Sequence, residues 1–153
     1  MRAGPFTYRR IFSGEDTTAA EDLLIGFFRE EGFDTPPETI RANCRELARQ
    51  DICALFLAET GPSPAGVSTI SLNFGIEYGW LGEMGDLYVL PEFRGRGVAR
   101  GLISEIEGFL KSHGASGYQV TVTPYARRAH ALQHFYARLG FGAEGRQILY
   151  KGL

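Results

Sequence analysis

Two glycines spaced by one residue and flanked by three arginines are the densest chemistry in this sequence, in Arg94-Gly95-Arg96-Gly97-Val98-Ala99-Arg100. Glycine has no Cβ, so consecutive backbone N–H groups can converge on a close ligand. A helix opening at that point adds the positive end of its dipole, which makes a nest for a pyrophosphate. Arg94, Arg96 and Arg100 add guanidinium groups, whose planar forks suit phosphate oxygens. The same residues also fit a plain glycine turn with solvated arginines. Two better-known phosphate patterns do not fit. A dinucleotide fingerprint needs a third glycine where Arg100 stands. A P-loop ends in Gly-Lys-Ser/Thr, which is absent.

The elements needed to hold such a turn are legible on both sides of it. Trp80 to Leu90 is strand-like, and Pro91 ends it because proline cannot donate to a ladder. Val98, Ala99, Leu102, Ile103, Ile106, Phe109 and Leu110 recur at helical spacing, with Gly114 as C-cap. Tyr118 to Thr123 reads as a short strand, and Leu132, Phe135, Tyr136 and Leu139 mark a last helix stopped by Gly140. Phe141 to Tyr150 reads as a closing pair of strands. Upstream, a strand at Phe6 to Phe12 precedes two helices within Glu15 to Gln50, the second with Thr35 as N-cap, Pro36 at its first position and Glu38 closing a capping box. Ile52 to Ala58 and Val67 to Leu72 read as a hairpin joined through Gly61-Pro62-Ser63-Pro64-Ala65-Gly66. The order β-α-α-β-β-β-α-β-α-β(-β) implies a mixed α/β (α+β) fold with a largely antiparallel central sheet, helices on both faces and one crossover helix.

Composition narrows the classes further. The 153 residues are 44% hydrophobic and 22% charged with a net charge of −2, so they suit one folded domain over 1–153. The chain lacks the basic surplus of a nucleic-acid binder. No apolar run approaches the ~20 residues of a membrane span. Met1-Arg2-Ala3-Gly4-Pro5 leads into strand-like sequence without a secretory h-region, so a cytoplasmic protein is expected. Cys44 and Cys53 have neither metal nor redox spacing and read as buried thiols. His130 and His134 share a helical face but lack a third ligand, so no metal site is expected.

Arg94-Gly95-Arg96-Gly97-Val98-Ala99 matches the Arg/Gln-x-x-Gly-x-Gly/Ala signature of the GNAT N-acetyltransferase superfamily. Asp86-Leu87-Tyr88-Val89-Leu90-Pro91 looks like that family's fourth strand, and Phe135-Tyr136-Ala137-Arg138-Leu139-Gly140-Phe141 resembles its late Phe/Leu-Tyr-x-x-x-Gly-Phe element. The resemblance implies that acetyl-CoA lies in a gap between the fourth and fifth strands opened by a bulge. Its pantetheine arm would pair with Leu87, Tyr88 and Val89, a form of β-augmentation. Its pyrophosphate would sit on Arg94, Gly95, Arg96, Gly97, Val98, Ala99 and Arg100. Tyr136 matches the tyrosine that in many members protonates the departing thiolate. A phenol near pKa 10 and a thiol near 8.5 make that transfer nearly balanced. By its spacing alone, Tyr136 equally fits a buried helix stripe. An asparagine common seven residues before this tyrosine is replaced by Ala129, which leaves its contact to Tyr125, His130 or a backbone group.

An amine acceptor is mostly protonated at neutral pH, and a carboxylate acting through water can assist its deprotonation, although the carboxylates near this strand equally fit solvated strand-end groups. Simple alternation puts Glu83, Gly85, Leu87 and Val89 on one strand face and Met84, Asp86 and Tyr88 on the other. Related enzymes often carry a Glu at the position of Gly85, so Glu83 is the first candidate here and Asp86 the second. The overall pattern is similar to small aminoglycoside- and polyamine-modifying members. Glu15 to Asp34 carries seven acids against one base, which suits a cationic amine acceptor. The resemblance leaves open a peptide acceptor, a non-catalytic CoA-binding module, and a homodimer.

Overall fold

The computed structural model describes residues 5–153, apart from the side chains of residues 129 and 130. The chain divides into two compact units, one running to Thr121 and one from Val122 to Leu153.

The first unit is built on β1 (Phe6–Ile11), α1 (Thr18–Glu31), α2 (Pro37–Arg49), β2 (Cys53–Thr60), β3 (Ser63–Gly75), β4 (Gly79–Val89), α3 (Val98–Ser112) and β5 (Gly117–Val120). Its five strands form one sheet in sequence order. The pairs β1–β2, β2–β3 and β3–β4 are antiparallel. Only β4–β5 is parallel, because α3 carries the chain back across the sheet between them. The hairpin between β2 and β3 is tighter than its composition suggests. Thr60 already pairs with Ser63, leaving Gly61-Pro62 as the loop, and a register shift beyond Ala58 absorbs the extra residue.

Helices cover both faces, as expected. Leu55, Leu57, Val67 and Tyr88 point to α1 and α2 and join Ala20, Leu23, Leu24, Ile40 and Cys44 in one buried cluster. Each of the leucine, isoleucine and valine side chains among them contributes about 1.5–3 kcal/mol on burial. The other face receives the Val98, Leu102, Ile106, Phe109 and Leu110 stripe of α3. Gly82 of β4 lies directly under that helix, where an added Cβ would stand 2.5 Å from Leu110. The second helix starts one residue later than its sequence suggests. Pro36 is the N-cap, no side chain caps it, and Thr39 and Ile40 donate to the Pro36 carbonyl instead.

The second unit holds α4 (Pro124–His130) and α5 (Leu132–Arg138). The Thr123 hydroxyl accepts from the Ala126 N–H at 3.1 Å and starts α4. The expected last helix is therefore found as α5. The closing strands over Phe141 to Tyr150 are not. That segment has no regular structure, with Gly140 and Gly145 at positive φ, and Ile148, Leu149 and Tyr150 are exposed. An isolated strand cannot satisfy its backbone without a neighbour, and none is found among the described residues of this unit.

Candidate active site

The bulge in β4 organises the site. Thr69 of β3 pairs with Asp86, but the next residue, Ile70, pairs with Met84, so Gly85 is the extra residue. A bulge of this kind bends the strand and resets its alternation. Ser71 pairs with Glu83, and Ser71 and Thr69 lie two apart on β3. Directly paired residues share a face, so Glu83 and Asp86 stand on the same face, the one that carries Tyr88. Simple alternation had separated these two carboxylates. The bulge brings them together.

The two differ in environment. The Thr69 hydroxyl donates to Asp86 Oδ2 at 2.6 Å. Burial pushes the Asp86 carboxyl above its usual range, and the Thr69 hydrogen bond only partly opposes that. Glu83 is half-buried and sits where β4 is still flanked by Gln119 of β5. Thr69 was not among the residues singled out from sequence. The signal that could have found it is a glycine inside a strand, which often marks a bulge.

Beyond the bulge, β4 loses its neighbour. Pairing with β5 runs from Leu81↔Gly117 to Met84↔Val120 and stops. The Leu90 N–H donates to the Ala65 carbonyl at 2.9 Å. That makes Val89 and Gly66 a non-hydrogen-bonded pair, so the N–H and C=O of Val89 point away from β3. The same parity turns the N–H and C=O of Leu87 outward. These groups line the margin that β5 leaves open, in the spacing an extended amide chain would match. The Tyr88 side chain points instead to the core, its ring 5.3 Å from that of Phe27.

The open margin leads through Leu90 and a short 3-10 turn, Pro91–Phe93, into the glycine pair. Gly95 and Gly97 have φ of 74° and 85°, values that favour glycine. Gly97 is the N-cap of α3 and carries no side-chain cap. The first-turn N–H groups of Val98, Ala99 and Arg100 therefore have no partner within the helix and aim, with its dipole, at whatever binds there. Arg96 and Arg100 are exposed beside them. Arg94 is differently engaged. Its Nε donates to the Val89 carbonyl at 2.9 Å, and a terminal nitrogen reaches both Glu30 oxygens at 3.1 Å.

In the second unit, Tyr136 is buried on α5, with the rings of Phe135 and Phe141 at 5.2 and 5.3 Å. Burial pushes its phenol up to about 12. A raised phenol stays neutral and able to donate, and full proton transfer to a thiolate is less favourable than ordinary values suggest. What remains strong is the neutral phenol as a hydrogen-bond donor. His130, named above beside His134, has its side chain outside the described residues.

The acidic run of the first helices is largely spoken for. Glu21 accepts from Thr17, Arg41 and Arg45, Asp22 from Arg41, and Glu30 from Arg94. Glu15 and Asp16 accept from the N–H groups of Phe12 and Thr18. Arginines thus offset Glu21, Asp22 and Glu30, and the net potential facing a cation is smaller than the sequence count implies. Cys44 is buried, which pushes its thiol up to about 12 and makes it an inert core residue.

The model of the acetyltransferase (GNAT) family matches residues 17–141. An uncharacterised N-acetyltransferase of Methanocaldococcus jannaschii is 30% identical over 128 residues, which are 79% of this chain and 55% of that protein, so the chain spans about half the length of this relative. Among solved structures, the aminoglycoside acetyltransferase AAC(6')-Iy, in complex with a bisubstrate analogue of CoA, superposes with a TM-score of 0.83 at 21% identity, covering 98% of this chain and 99% of that one. A ribosomal-protein-alanine N-acetyltransferase from Brucella melitensis superposes with a TM-score of 0.77 at 13% identity, covering 97% and 99%.

Proposed function

The chain belongs to the GNAT acetyltransferase family, and from that membership we propose that it transfers the acetyl group of acetyl-CoA to a primary amine of a small cationic molecule of the aminoglycoside or polyamine type. The observation that carries this reading is the continuity between the open margin of β4 at Leu87 and Val89 and the uncapped glycine turn that begins α3. An amide-bearing arm followed by a pyrophosphate needs these two features in that order. Arg96 and Arg100 add charge for the phosphates. The family match spans the boundary at Thr121, which supports the two units acting as one acetyltransferase domain.

The reaction is direct attack in a ternary complex. The acceptor ammonium must lose a proton, and a carboxylate serves best when its pKa lies nearer the working pH. Asp86, raised by burial and oriented by Thr69, moves toward that requirement, and Glu83 stands on the same face and supports the cation. The amine nitrogen then bonds to the thioester carbonyl carbon, the C–S bond breaks with its electron pair leaving on sulfur, and the second proton of the nitrogen passes through water to that thiolate. Tyr136, which matches the family's late tyrosine, is the residue this reading assigns as donor to the departing thiolate. The aminoglycoside acetyltransferase with the same fold favours an aminoglycoside-like acceptor.

Turnover of acetyl-CoA with a panel of an aminoglycoside, spermidine and a peptide with a free N-terminus tests this directly. The aminoglycoside or spermidine is expected to give the highest kcat/KM. A peptide as best substrate overturns the acceptor class, and CoA binding without turnover of any amine overturns the enzyme reading.

A further inference from the structure

Arg94 stands first in the glycine signature, yet its guanidinium is turned away from the glycine turn. Nε donates to the Val89 carbonyl, the outward-pointing group at the end of the open margin. A terminal nitrogen meets both oxygens of Glu30, 64 positions earlier, in the last turn of α1. The guanidinium carbon lies 5.6 Å from the centre of the Tyr88 ring. Glu30 also shares a hydrogen bond with the Tyr88 phenol, which burial holds above its ordinary value with the Glu30 charge as the next cause. Tyr88 in turn packs on Phe27 of α1. The ion pair, with Arg94 exposed and Glu30 partly buried, and the ring together join three elements: the end of β4, the glycine turn and the last turn of α1.

We propose that Arg94 is a positioning residue acting through Glu30, which fixes the last turn of α1 against the cofactor margin and so couples cofactor binding to the acceptor side. This rests on the acetyl-CoA reading above. Nε and one terminal nitrogen are committed to Val89 and Glu30, and a guanidinium that turned those groups to the pyrophosphate instead would leave Glu30 and Tyr88 facing each other with no cation between them. The carbonyl contact also sets how the margin ends. With Arg94 in place, Leu87 and the Val89 N–H are the groups offered to an extended ligand, and Val89 C=O is already satisfied. Glu30, by the same argument, is not a recruiter of cationic acceptors, since its charge is spent on Arg94.

The test is a double-mutant cycle with Arg94→Ala, Glu30→Ala and the pair, together with the exchanged pair Arg94→Glu/Glu30→Arg. CoA and pantetheine, which lacks the phosphates, are titrated calorimetrically, and KM for both substrates is measured beside thermal unfolding. Each single change is expected to weaken CoA and pantetheine alike by about 5-fold and to raise acceptor KM similarly, with kcat nearly constant. The double variant should be no worse than either single, and the exchanged pair should recover part of the loss. Arg94→Ala weakening CoA but not pantetheine, with Glu30→Ala silent, overturns the proposal and makes Arg94 a phosphate ligand. A shift in thermal unfolding with both affinities unchanged also overturns it, reducing the contact to stability. Failure of the wild-type chain to bind CoA overturns the acetyl-CoA reading itself, and the unfolding cycle then still reports whether Arg94 and Glu30 act as one unit.

Discussion

The two halves of β4 are one continuous strand with opposite duties. From Leu81 to Met84 it is enclosed, with β3 on one side, β5 on the other and α3 pressed on Gly82. From Asp86 to Val89 only β3 flanks it, and its other margin offers backbone groups. Gly85 divides them. The first half uses glycine to admit a helix, while the turn that follows the second half uses glycine to admit a ligand. Substitutions in the first half should therefore be read in stability and those around the second in binding, with little crossing over.

Gly97→Glu is expected to give the largest effect. The side chain would occupy the N-terminus of α3 with a negative charge at a backbone position, φ 85°, that disfavours it. CoA affinity measured by calorimetry should fall by about 100-fold or more, ~3 kcal/mol, with the far-ultraviolet circular dichroism of a folded protein retained. Unchanged affinity in a folded variant would remove the phosphate from this turn.

Gly82→Val probes the enclosed half and should do the reverse. The new side chain would strike Leu110 of α3 and the Tyr118 Cβ, the latter at 2.9 Å. Overpacking of this kind costs roughly 1–3 kcal/mol, a drop in Tm of several degrees. CoA affinity of the folded fraction should stay within about 2-fold of wild type. A selective loss of CoA binding would erase the distinction between the halves.

Asp86→Asn sharpens the comparison at the bulge with the smallest effect. Because burial raises the native pKa of Asp86, the folded state holds its proton to higher pH than the unfolded chain does. Stability then declines as pH rises through the window above the ordinary carboxylate value, and the full cost is present beyond it. The asparagine avoids that cost, and its amide oxygen still accepts from Thr69. Tm should rise by about 2–4 °C at neutral pH, with the gain vanishing near pH 4. A gain independent of pH would mean that shape, not charge, sets the difference.

How far the sequence discloses these features depends on the range of the interaction. Val98 to Leu110 is a helix because its apolar residues repeat at 3.6, and Gly97 and Gly114 punctuate it, all local facts. The face of Glu83 was misread because alternation counts by twos, and one unpaired residue at Gly85 changes the count. The missing strands after Phe141 fail for a different reason: alternating apolar residues such as Ile148 and Tyr150 state a propensity, while a strand also requires a partner. The attachment of Arg94 to Glu30 leaves no trace in either local segment. It exists only because the sheet brings the end of α1 to the end of β4.

The bulge at Gly85 also bears on how such a protein can change. Thr69 pairs with Asp86 and Ile70 with Met84, so a descendant that lost only Gly85 would keep each of these side chains on its present face. The core would need no compensating replacements. The bend that such a bulge imposes would go with it. A one-codon deletion or insertion can thus remove or create the bulge without turning any neighbouring side chain to the other face. Gain and loss of the bulge by length variation, rather than by substitution, is the evolutionary step this strand makes simplest.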